Sequence, residues 1–392
     1  MAQPCLPDDI IRTNILPRLS IKSVTRFRSV CKSWNSLILE PGFAKDHLYF
    51  TARNPQDDTL IFNKLALTLS YDDFGTMITS AHYGDIALLS LSELSETKLL
   101  DVTSAELHML GSINGLVCLF LDKQDQFIVW NPAIRQAMKF DSPRKQFLLR
   151  YMKRKFYGFC WDAVENDFKV MVSYYKIGNL DSPLSLYVYS CNLGSWSSPR
   201  NSLFTEVWWD NHGLPSAIVS GVPYWTYSWY SRGTIKLFKF DLISKDFRKV
   251  PELYLLDHKN FIVVNLKECL SALVYDYALV NIFVDVHCFD EGLGVWSKMY
   301  RVGPINGDMF SRGWGLMYNV RVSGKLLGCF KHNGEIVFSA NCKYKCYHHE
   351  TNKITDLHNQ EGYTEECFSY KASLFFLEGM KPQHQVEPTL WK

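Results

Sequence analysis

The chain has 392 residues, 47% of them apolar, which is enough to bury a large core in one repeat domain or in two domains. Its 42 basic and 40 acidic side chains leave a net charge of +2. This balance lacks the strong positive charge of a dedicated nucleic-acid-binding protein, so we expect no nucleic-acid partner.

The sequence also lacks signals for secretion or membrane insertion. Its first ten residues have neither the basic start nor the apolar stretch of a secretory signal. A membrane helix over Cys269–Val286 would have to bury Asp276, Asn281 and Asp285. The eleven cysteines have no regular spacing, and we expect reduced, mostly buried thiols. These features predict a protein of the cytoplasm or nucleus with no membrane partner.

The first fifty residues have the spacing of short amphipathic helices. One apolar set follows the turn-like Leu6–Asp9 and comprises Ile10, Ile11, Ile15, Leu16 and Leu19. A second set ends near Pro41-Gly42 and comprises Val24, Phe27, Val30, Cys31, Trp34 and Ile38. So small a unit cannot bury all of these side chains internally. Periodicity alone leaves two explanations open, namely packing on the following domain and binding of a partner protein.

Three stretches of this region resemble the plant F-box: Leu6–Ile11, Arg18–Val24 and Arg26–Trp34. Ser20 stands where the family usually has proline, and the Arg12–Asn14 segment is one residue longer than the common first helix. In that family the motif binds the Skp adaptor of the Skp–cullin–F-box (SCF) complex, with apolar helix faces filling a groove. The resemblance assigns adaptor contacts to Leu6, Pro7, Ile10, Leu16, Leu19, Val24, Val30, Cys31 and Trp34. The segment from Arg12 to Lys32 has six basic residues and no acid, which either form a solvated helix face or steer docking on an acidic adaptor.

The rest of the chain repeats a hairpin pattern, in which an aromatic ends an apolar run and another apolar residue follows seven positions later, across a polar turn. The predicted hairpin pairs are Trp130 with Ala137, Tyr189 with Trp196, Phe240 with Phe247, Phe289 with Trp296 and Tyr347 with Ile354. A glycine turn precedes other strands at Asn114-Gly115, Ser220-Gly221 and Asn333-Gly334.

The aromatic anchors are separated by 59, 51, 49 and 58 residues, a period typical of kelch-type propeller blades. Residues 50–100, including Leu60–Phe62 and Leu67–Tyr71, are expected to supply the first blade. A strand over Ala372–Leu377 is a candidate to close the ring. The blade number, five or six, stays open.

Four further stretches resemble the F-box-associated domain of plant F-box proteins, a kelch-like relative of the β-propeller. They are Gly115–Cys118, Trp130–Pro132, Tyr157–Phe159 and Asn166–Val170. The resemblance predicts a multidomain α plus all-β protein, with a three-helix F-box over residues 4–48, a propeller-like substrate-binding domain over 50–380 and a tail over 381–392.

Three other clusters have competing interpretations. Cys342, Cys346, His348 and His349 lack a recognised zinc spacing, so we expect buried cysteines and no metal. The run from Arg144 to Lys155 holds six basic residues and no acid, and either grips an acidic substrate or is a solvated loop. The aromatics Trp208, Trp209, Trp225, Trp229 and Tyr230 are substrate-contact candidates, or they fill blade cores.

No catalytic motif accompanies these features: the sequence has no phosphate-binding glycine loop, nucleophile elbow or zinc-protease helix. We therefore expect a non-catalytic protein without a cofactor. The resemblance implies a substrate receptor that binds the Skp adaptor, and through it the cullin, and holds a target protein for ubiquitination. The alternative is a propeller enzyme or carbohydrate-binding module with a helical arm. A close branch of the family recognises stylar ribonucleases in pollen, and no residue here selects that branch.

Overall fold

The computed structural model describes most of the chain. The described residues are 7–51, 59–71, 77–90, 95–100, 107–147, 149, 152–177, 183–202, 204, 213–226, 233–255, 260–275, 281–306, 329–330, 336–340, 343–348, 351, 353–359 and 363–386.

The N-terminal region is helical, as its spacing predicts. Its elements are α1 (Asp8–Ile10), a π-helical turn (Ile11–Ile15), a 3₁₀ turn (Leu16–Arg18), α2 (Ile21–Phe27), α3 (Lys32–Ile38) and α4 (Pro41–Thr51). Ser20 caps α2, because its side chain accepts a hydrogen bond from the backbone N–H of Ser23. The residue that departs from the family pattern therefore starts the second helix. In the described residues, no helix combines the length and the apolar character that crossing a bilayer requires.

Most of the remaining described residues lie in strands. These are β1 (Thr59–Tyr71), β2 (Met77–Ser90), β3 (Ser95–Leu100), β4 (Leu107–Ile113), β5 (Leu116–Leu121), β6 (Gln126–Asn131), β7 (Gln136–Asp141), β8 (Met152–Asp162), β9 (Asp167–Lys176), β10 (Ser185–Ser190), β11 (Ser195–Trp196), β12 (Arg200–Asn201), β13 (Ala217–Val219), β14 (Val222–Thr226), β15 (Thr234–Asp241), β16 (Asp246–Tyr254), β17 (Asn260–Leu266), β18 (Cys269–Tyr275), β19 (Asn281–Asp290), β20 (Val295–Asn306), β21 (Cys329–Phe330), β22 (Ile336–Ala340), β23 (Lys343–His348), β24 (Lys353–Asn359), β25 (Tyr363–Tyr370) and β26 (Lys381–Pro382). Two short helices, α5 (Pro143–Gln146) and α6 (Gln383–Val386), complete the list.

Within the described residues, the strands form six antiparallel sheets that follow one another along the chain. The first sheet has the order β25-β1-β2-β3, and the second is β4 to β7 with β26 at its outer edge. The third contains β8 to β12, and the fourth, fifth and sixth take four strands each from β13 to β24. Neighbouring sheets meet along their first strands, such as β4 beside β8 and β13 beside β17. The predicted fold class, short N-terminal helices followed by a β-propeller, is confirmed by this arrangement of helices and sheets.

The ring closes by pairing strands from both ends of the propeller. The segment around residues 59–100 supplies three strands of the first sheet, as predicted, and β25 supplies the fourth. Thr59 lies opposite Tyr370, and Ile61 opposite Phe368. The predicted closing strand over Ala372–Leu377 is wrong, because that segment is not a strand. Its apolar side chains instead join the buried cluster formed by the N-terminal helices and the second and third sheets.

All five predicted hairpin pairs are confirmed as directly opposed residues. They are Trp130 with Ala137, Tyr189 with Trp196, Phe240 with Phe247, Phe289 with Trp296 and Tyr347 with Ile354. The two residues seven positions apart therefore face each other across a hairpin, with the turn between them.

These aromatics pack each sheet onto the preceding one. Tyr189 of the third sheet stacks on Phe140 of the second with ring centroids 3.8 Å apart. In the fifth sheet, the indole Nε1 of Trp296 donates a hydrogen bond of 2.8 Å to the carbonyl of Pro251 in the fourth. The sequence repeat thus arises because every sheet buries a face against its neighbour.

The two ends of the propeller differ. In the second to fifth sheets, one turn joins the first and second strands along the chain and another joins the third and fourth. These turns lie at one end of the propeller, here called the turn end. Contacts between these turns confirm their proximity: Asn192 donates to the carbonyl of Asn166, and Lys245 pairs with Glu165. The connections between the middle strands and between successive sheets run from the opposite end, here called the loop end.

The two described glycine turns behave as predicted. Asn114 and Gly115 have φ of 49° and 78°, and Ser220 and Gly221 have φ of 48° and 79°. Such left-handed pairs form the tight turns that suit antiparallel strands, and glycine adopts this backbone without steric cost. The third predicted turn, Asn333-Gly334, lies outside the described residues.

The prediction of reduced thiols is wrong for one pair, since Cys269 and Cys288 form a disulfide. Ser271 lies opposite Cys288, so Cys269 is its diagonal neighbour on the same sheet face. Their Cα atoms are 6.4 Å apart, within the range of about 4.4–6.8 Å that a disulfide spans. Among the free cysteines, Cys118 and Cys160 are buried, and burial raises the pKa of both thiols.

The segment predicted as a tail begins with ordered structure. Lys381 and Pro382 pair with Ala137 and Gln136 at the outer edge of the second sheet. The side chain of Gln383 accepts a hydrogen bond of 3.0 Å from Nε1 of Trp130. Residues 381–386 therefore pack on the propeller.

Packing between the third and fourth sheets can be tested at Phe238. This fully buried ring lies 5.0 Å from Phe156 and 5.3 Å from Trp225. Because it leaves a cavity, Phe238→Ala should lower the free energy of unfolding by about 3–5 kcal/mol. Guanidinium denaturation followed by tryptophan fluorescence measures the change. Phe376→Ala, at a half-exposed phenylalanine, is the matched control and should change stability little; an equal loss in both variants would contradict this packing.

Candidate functional site

The helical region buries one set of apolar side chains towards the propeller. Leu16, Val24, Ile38 and Phe43 are buried, together with Ala44. They belong to one apolar cluster with buried residues of the second and third sheets and of the segment 371–380. Leu16 and Val24, two of the predicted adaptor contacts, thus lie in the core and are not accessible to a partner in this conformation.

A second apolar set faces solvent. Val30 is 60% exposed, Leu39 47% and Ile10 38%. Pro7 and Cys31 are exposed as well. Leu39 was missed by sequence reasoning because it lies one position beyond the periodic set that ends at Ile38.

The other predicted adaptor contacts have mixed positions. Leu19 and Trp34 are half-buried, and the Trp34 ring packs edge-on against Phe27 at 5.4 Å. Leu6 lies outside the described residues. An ion pair of 2.6 Å joins Arg12 of the π-helical turn to Glu40, just after α3. It keeps the segments that carry Ile10 and Leu39 close together.

The basic residues of this region also face solvent. All six, namely Arg12, Arg18, Lys22, Arg26, Arg28 and Lys32, are exposed. The outward surface of the helices therefore combines accessible apolar side chains with positive charge.

His47 anchors α4 from inside the helical core. Its Nε2 lies 2.8 Å from the carbonyl of Leu19, so this nitrogen carries the proton and donates. Nδ1 is buried without a hydrogen-bond partner among the described residues. Burial lowers the pKa of His47, and the bond to Leu19 only partly opposes this shift.

The segment 371–380, here called the strap, lies between the helices and the turn end of the propeller. Asn131 donates from Nδ2 to the carbonyls of Ser373 at 3.1 Å and Phe375 at 2.8 Å. The Phe375 ring packs against Trp161, over whose ring Lys45 of α4 lies at 5.9 Å. The strap therefore joins the helical region to the second and third sheets.

The Asn166–Val170 motif builds the turn beside this contact. The buried Lys169 donates to Asp162 at 2.7 Å and also pairs with Glu165. Burial acts to lower the pKa of Lys169, but these hydrogen bonds outweigh it and raise the pKa above the ordinary value. The motif thus fixes the turn that carries Trp161, and this role explains its residues without invoking catalysis.

The predicted substrate contacts Trp208, Trp209, Trp229 and Tyr230 lie outside the described residues. The residues that flank them meet at the loop end: Ser216 and Thr226 share a hydrogen bond of 3.1 Å, and Nε1 of Trp225 donates to the carbonyl of Gly213. Trp225 is buried and stacks on Phe238, so it belongs to the core.

The cysteine and histidine cluster is only partly described. Cys346 is buried in β23, whereas Cys342 and His349 lie outside the described residues. In the described part of the chain, no three histidine, cysteine or acidic side chains converge in a way that could hold a metal ion.

Comparison with known families agrees with this architecture. Residues 76–376 match the F-box associated beta propeller domain, and residues 4–46 match the F-box domain. The chain belongs to the F-box-associated propeller family of F-box proteins. The helical region is accordingly called the F-box below.

Several curated relatives are plant F-box proteins. A putative F-box protein of Arabidopsis thaliana is 26% identical over 63% of this chain and 60% of its own length. An F-box/kelch-repeat protein of the same plant is 25% identical over 67% of this chain and 70% of its own. A fungal lectin with a six-bladed propeller aligns over 75% of this chain and 95% of its own at 11% identity, with a TM-score of 0.36. A score this low supports no conclusion about ligand.

The buried histidine predicts acid sensitivity of the F-box. Since the folded-state pKa of His47 is depressed, its stabilising contribution is present above the ordinary histidine pKa of about 6.5 and is lost as pH falls through the folded value. Hydrogen exchange of α4 amides, corrected for intrinsic rates, should show weaker protection below that pH. His47→Gln should flatten the profile. Unchanged wild-type protection across this range would contradict the assignment.

The strap can be tested through Asn131. Asn131→Ala leaves two buried carbonyls and the N–H of Ala133 without their partner, at about 1–3 kcal/mol for each group. We expect faster proteolysis of the strap and of α4. Asn192→Ala, which removes an exposed hydrogen bond to Asn166, is the control and should leave proteolysis unchanged. Equal effects in the two variants would disprove a specific role for the strap.

Proposed function

We propose that this protein is the substrate receptor of an SCF ubiquitin ligase. In this proposal, the F-box binds the Skp adaptor, which carries the cullin, and the propeller binds a target protein for ubiquitination and degradation. The partners place the protein in the cytoplasm or nucleus.

One observation carries the proposal: the F-box has apolar side chains left over after it has packed on the propeller. Leu16 and Val24 are used internally, while Val30 and Leu39 remain about half exposed. An amphipathic helical surface of this kind fits the groove of a partner protein. In this proposal the outward residues contact the adaptor, while the inner residues hold the F-box on the propeller.

Positive charge supports the same partner. The exposed basic residues Arg28 and Lys32 flank the outward Val30 in the sequence. The stretch from Arg12 to Lys32 contains six basic residues and no acid. Such a surface steers association with an acidic adaptor and raises the association rate more than the affinity.

The proposed substrate surface is the loop end. The F-box packs at the turn end, where Lys45 lies over Trp161 beside the strap, so the described F-box residues do not cover the loop end. A receptor in this arrangement needs no chemistry of its own, because holding the target raises its effective concentration near the ubiquitin-charged enzyme. We accordingly propose a non-catalytic adaptor. The competing function, a propeller enzyme or carbohydrate-binding module, predicts no adaptor affinity.

Adaptor binding is tested with charge substitutions on the outward surface. Val30→Asp and Leu39→Asp place a carboxylate where an apolar contact is proposed, and each should weaken binding of a Skp adaptor by at least about tenfold, or 1.4 kcal/mol. Biolayer interferometry with purified adaptor measures the affinity. Leu16→Ala is unsuitable, because that side chain is buried and its loss would destabilise the F-box.

The matched control is Ile243→Asp, an 89% exposed aliphatic residue in a turn of the fourth sheet. It should leave adaptor affinity unchanged. Absence of adaptor binding by the wild-type chain, or equal losses in Ile243→Asp and Val30→Asp, would rule out the proposed surface.

A further inference from the structure

The connection from the second to the third sheet concentrates positive charge at the loop end. Residues 144–155, here called the basic connection, contain six basic residues and no acid. Its described part begins with α5, in which Arg144 and Lys145 are exposed, and continues into β8, where Lys153 is exposed. Lys176, paired with Met152 at the edge of the neighbouring strand, is also exposed.

Most of this charge has no acidic partner among the described residues. Lys145 pairs with Asp141 at 2.8 Å. Among the described residues, no carboxylate pairs with Arg144, Lys153 or Lys176. Like charges held on adjoining strand ends and one short helix repel one another, and a ligand of opposite charge relieves that repulsion.

Apolar side chains lie beside these charges. Phe147 follows α5, is 36% exposed and packs on Tyr187 with ring centroids 5.2 Å apart. Ile177 follows Lys176 and is 55% exposed. A ligand that fits this surface therefore offers both negative charge and apolar groups.

The basic connection shares its end of the propeller with the next connections along the chain. The N–H of Ser202 donates to the carbonyl of Leu184 at 2.8 Å, so the residue just after β12 and the residue just before β10 meet there. The flanks of the tryptophan-rich segments meet at the same end, through Ser216 and Thr226. The F-box lies at the opposite end, so adaptor binding leaves this surface accessible.

We propose that Arg144, Lys153 and Lys176, with Phe147 and Ile177, form the part of the substrate surface that binds an acidic segment of the target protein in which carboxylates alternate with apolar residues. The inference rests on the proposed receptor function and names the chemistry of its substrate. A protein ligand fits better than a nucleic acid, because the chain as a whole carries only +2 and the exposed aliphatic Ile177 finds no complement on a phosphate backbone.

The test uses the full chain and a fluorescein-labelled peptide in which glutamate alternates with leucine and glycine. Fluorescence anisotropy should show binding that weakens as salt rises, and no binding of the same peptide with glutamine for glutamate. Arg144→Glu/Lys153→Glu should weaken binding by about tenfold or more, since each reversed charge also repels the probe. Arg135→Glu/Lys267→Glu, an equal charge reversal at exposed turn-end positions, should leave it unchanged.

Each outcome decides the proposal. Failure of the acidic peptide to bind, equal weakening by both double variants, or tighter binding of a single-stranded oligonucleotide than of the peptide would overturn it. Adaptor affinity measured on the same preparations separates the two claims: adaptor binding without peptide binding overturns only the substrate chemistry, whereas peptide binding without adaptor binding overturns only the receptor function.

Discussion

The arrangement of this protein depends on one apolar cluster that the F-box, the strap and the propeller share. Leu16 and Val24 reach it from the F-box, Phe375 from the strap and Phe159 from the third sheet. Because these side chains occupy a common interior, the F-box has a defined orientation on the turn end. Other apolar residues of the F-box, among them Ile10, Val30 and Leu39, are consequently presented on the outer side of the helices.

This orientation relates the two proposed binding surfaces to one another. The F-box and the strap meet the propeller near Trp161, whereas the basic connection and the flanks of the tryptophan-rich segments lie at the other end of the sheets. A partner on the F-box and a ligand on the loop end then bind without competing, and the propeller sets the distance between them. In the proposed receptor, rigid packing of this kind would determine which part of a bound target reaches an enzyme on the adaptor side.

Local features were predictable from the sequence, and features that depend on tertiary contacts were not. The five hairpin pairs follow from residues seven positions apart, and a turn fixes their register. Closure by β25 has only a weak sequence signal, because the polar residues Thr364, Glu365 and Glu366 interrupt its apolar pattern. The apolar run Leu374–Leu377 has the composition of a strand but is not one. Likewise, periodicity identified Leu16, Val24 and Val30 as apolar helix positions, but the three-dimensional packing alone separates the buried from the exposed. The Cys269–Cys288 disulfide depends on the register of β18 and β19, which cysteine spacing does not reveal.

Ring closure by β25 affects the order in which the protein can mature on the ribosome. The F-box and strands β1 to β3 emerge first, yet the inner edge of their sheet stays unpaired until Tyr363–Tyr370 has been synthesised. The strap follows β25 directly in the chain. The strands that close the ring and the residues on which the F-box packs are therefore translated one after the other. A nascent chain that stops before residue 363 therefore contains the F-box helices but cannot close the ring. Because unpaired strand edges associate with other chains, such a product is also prone to aggregate.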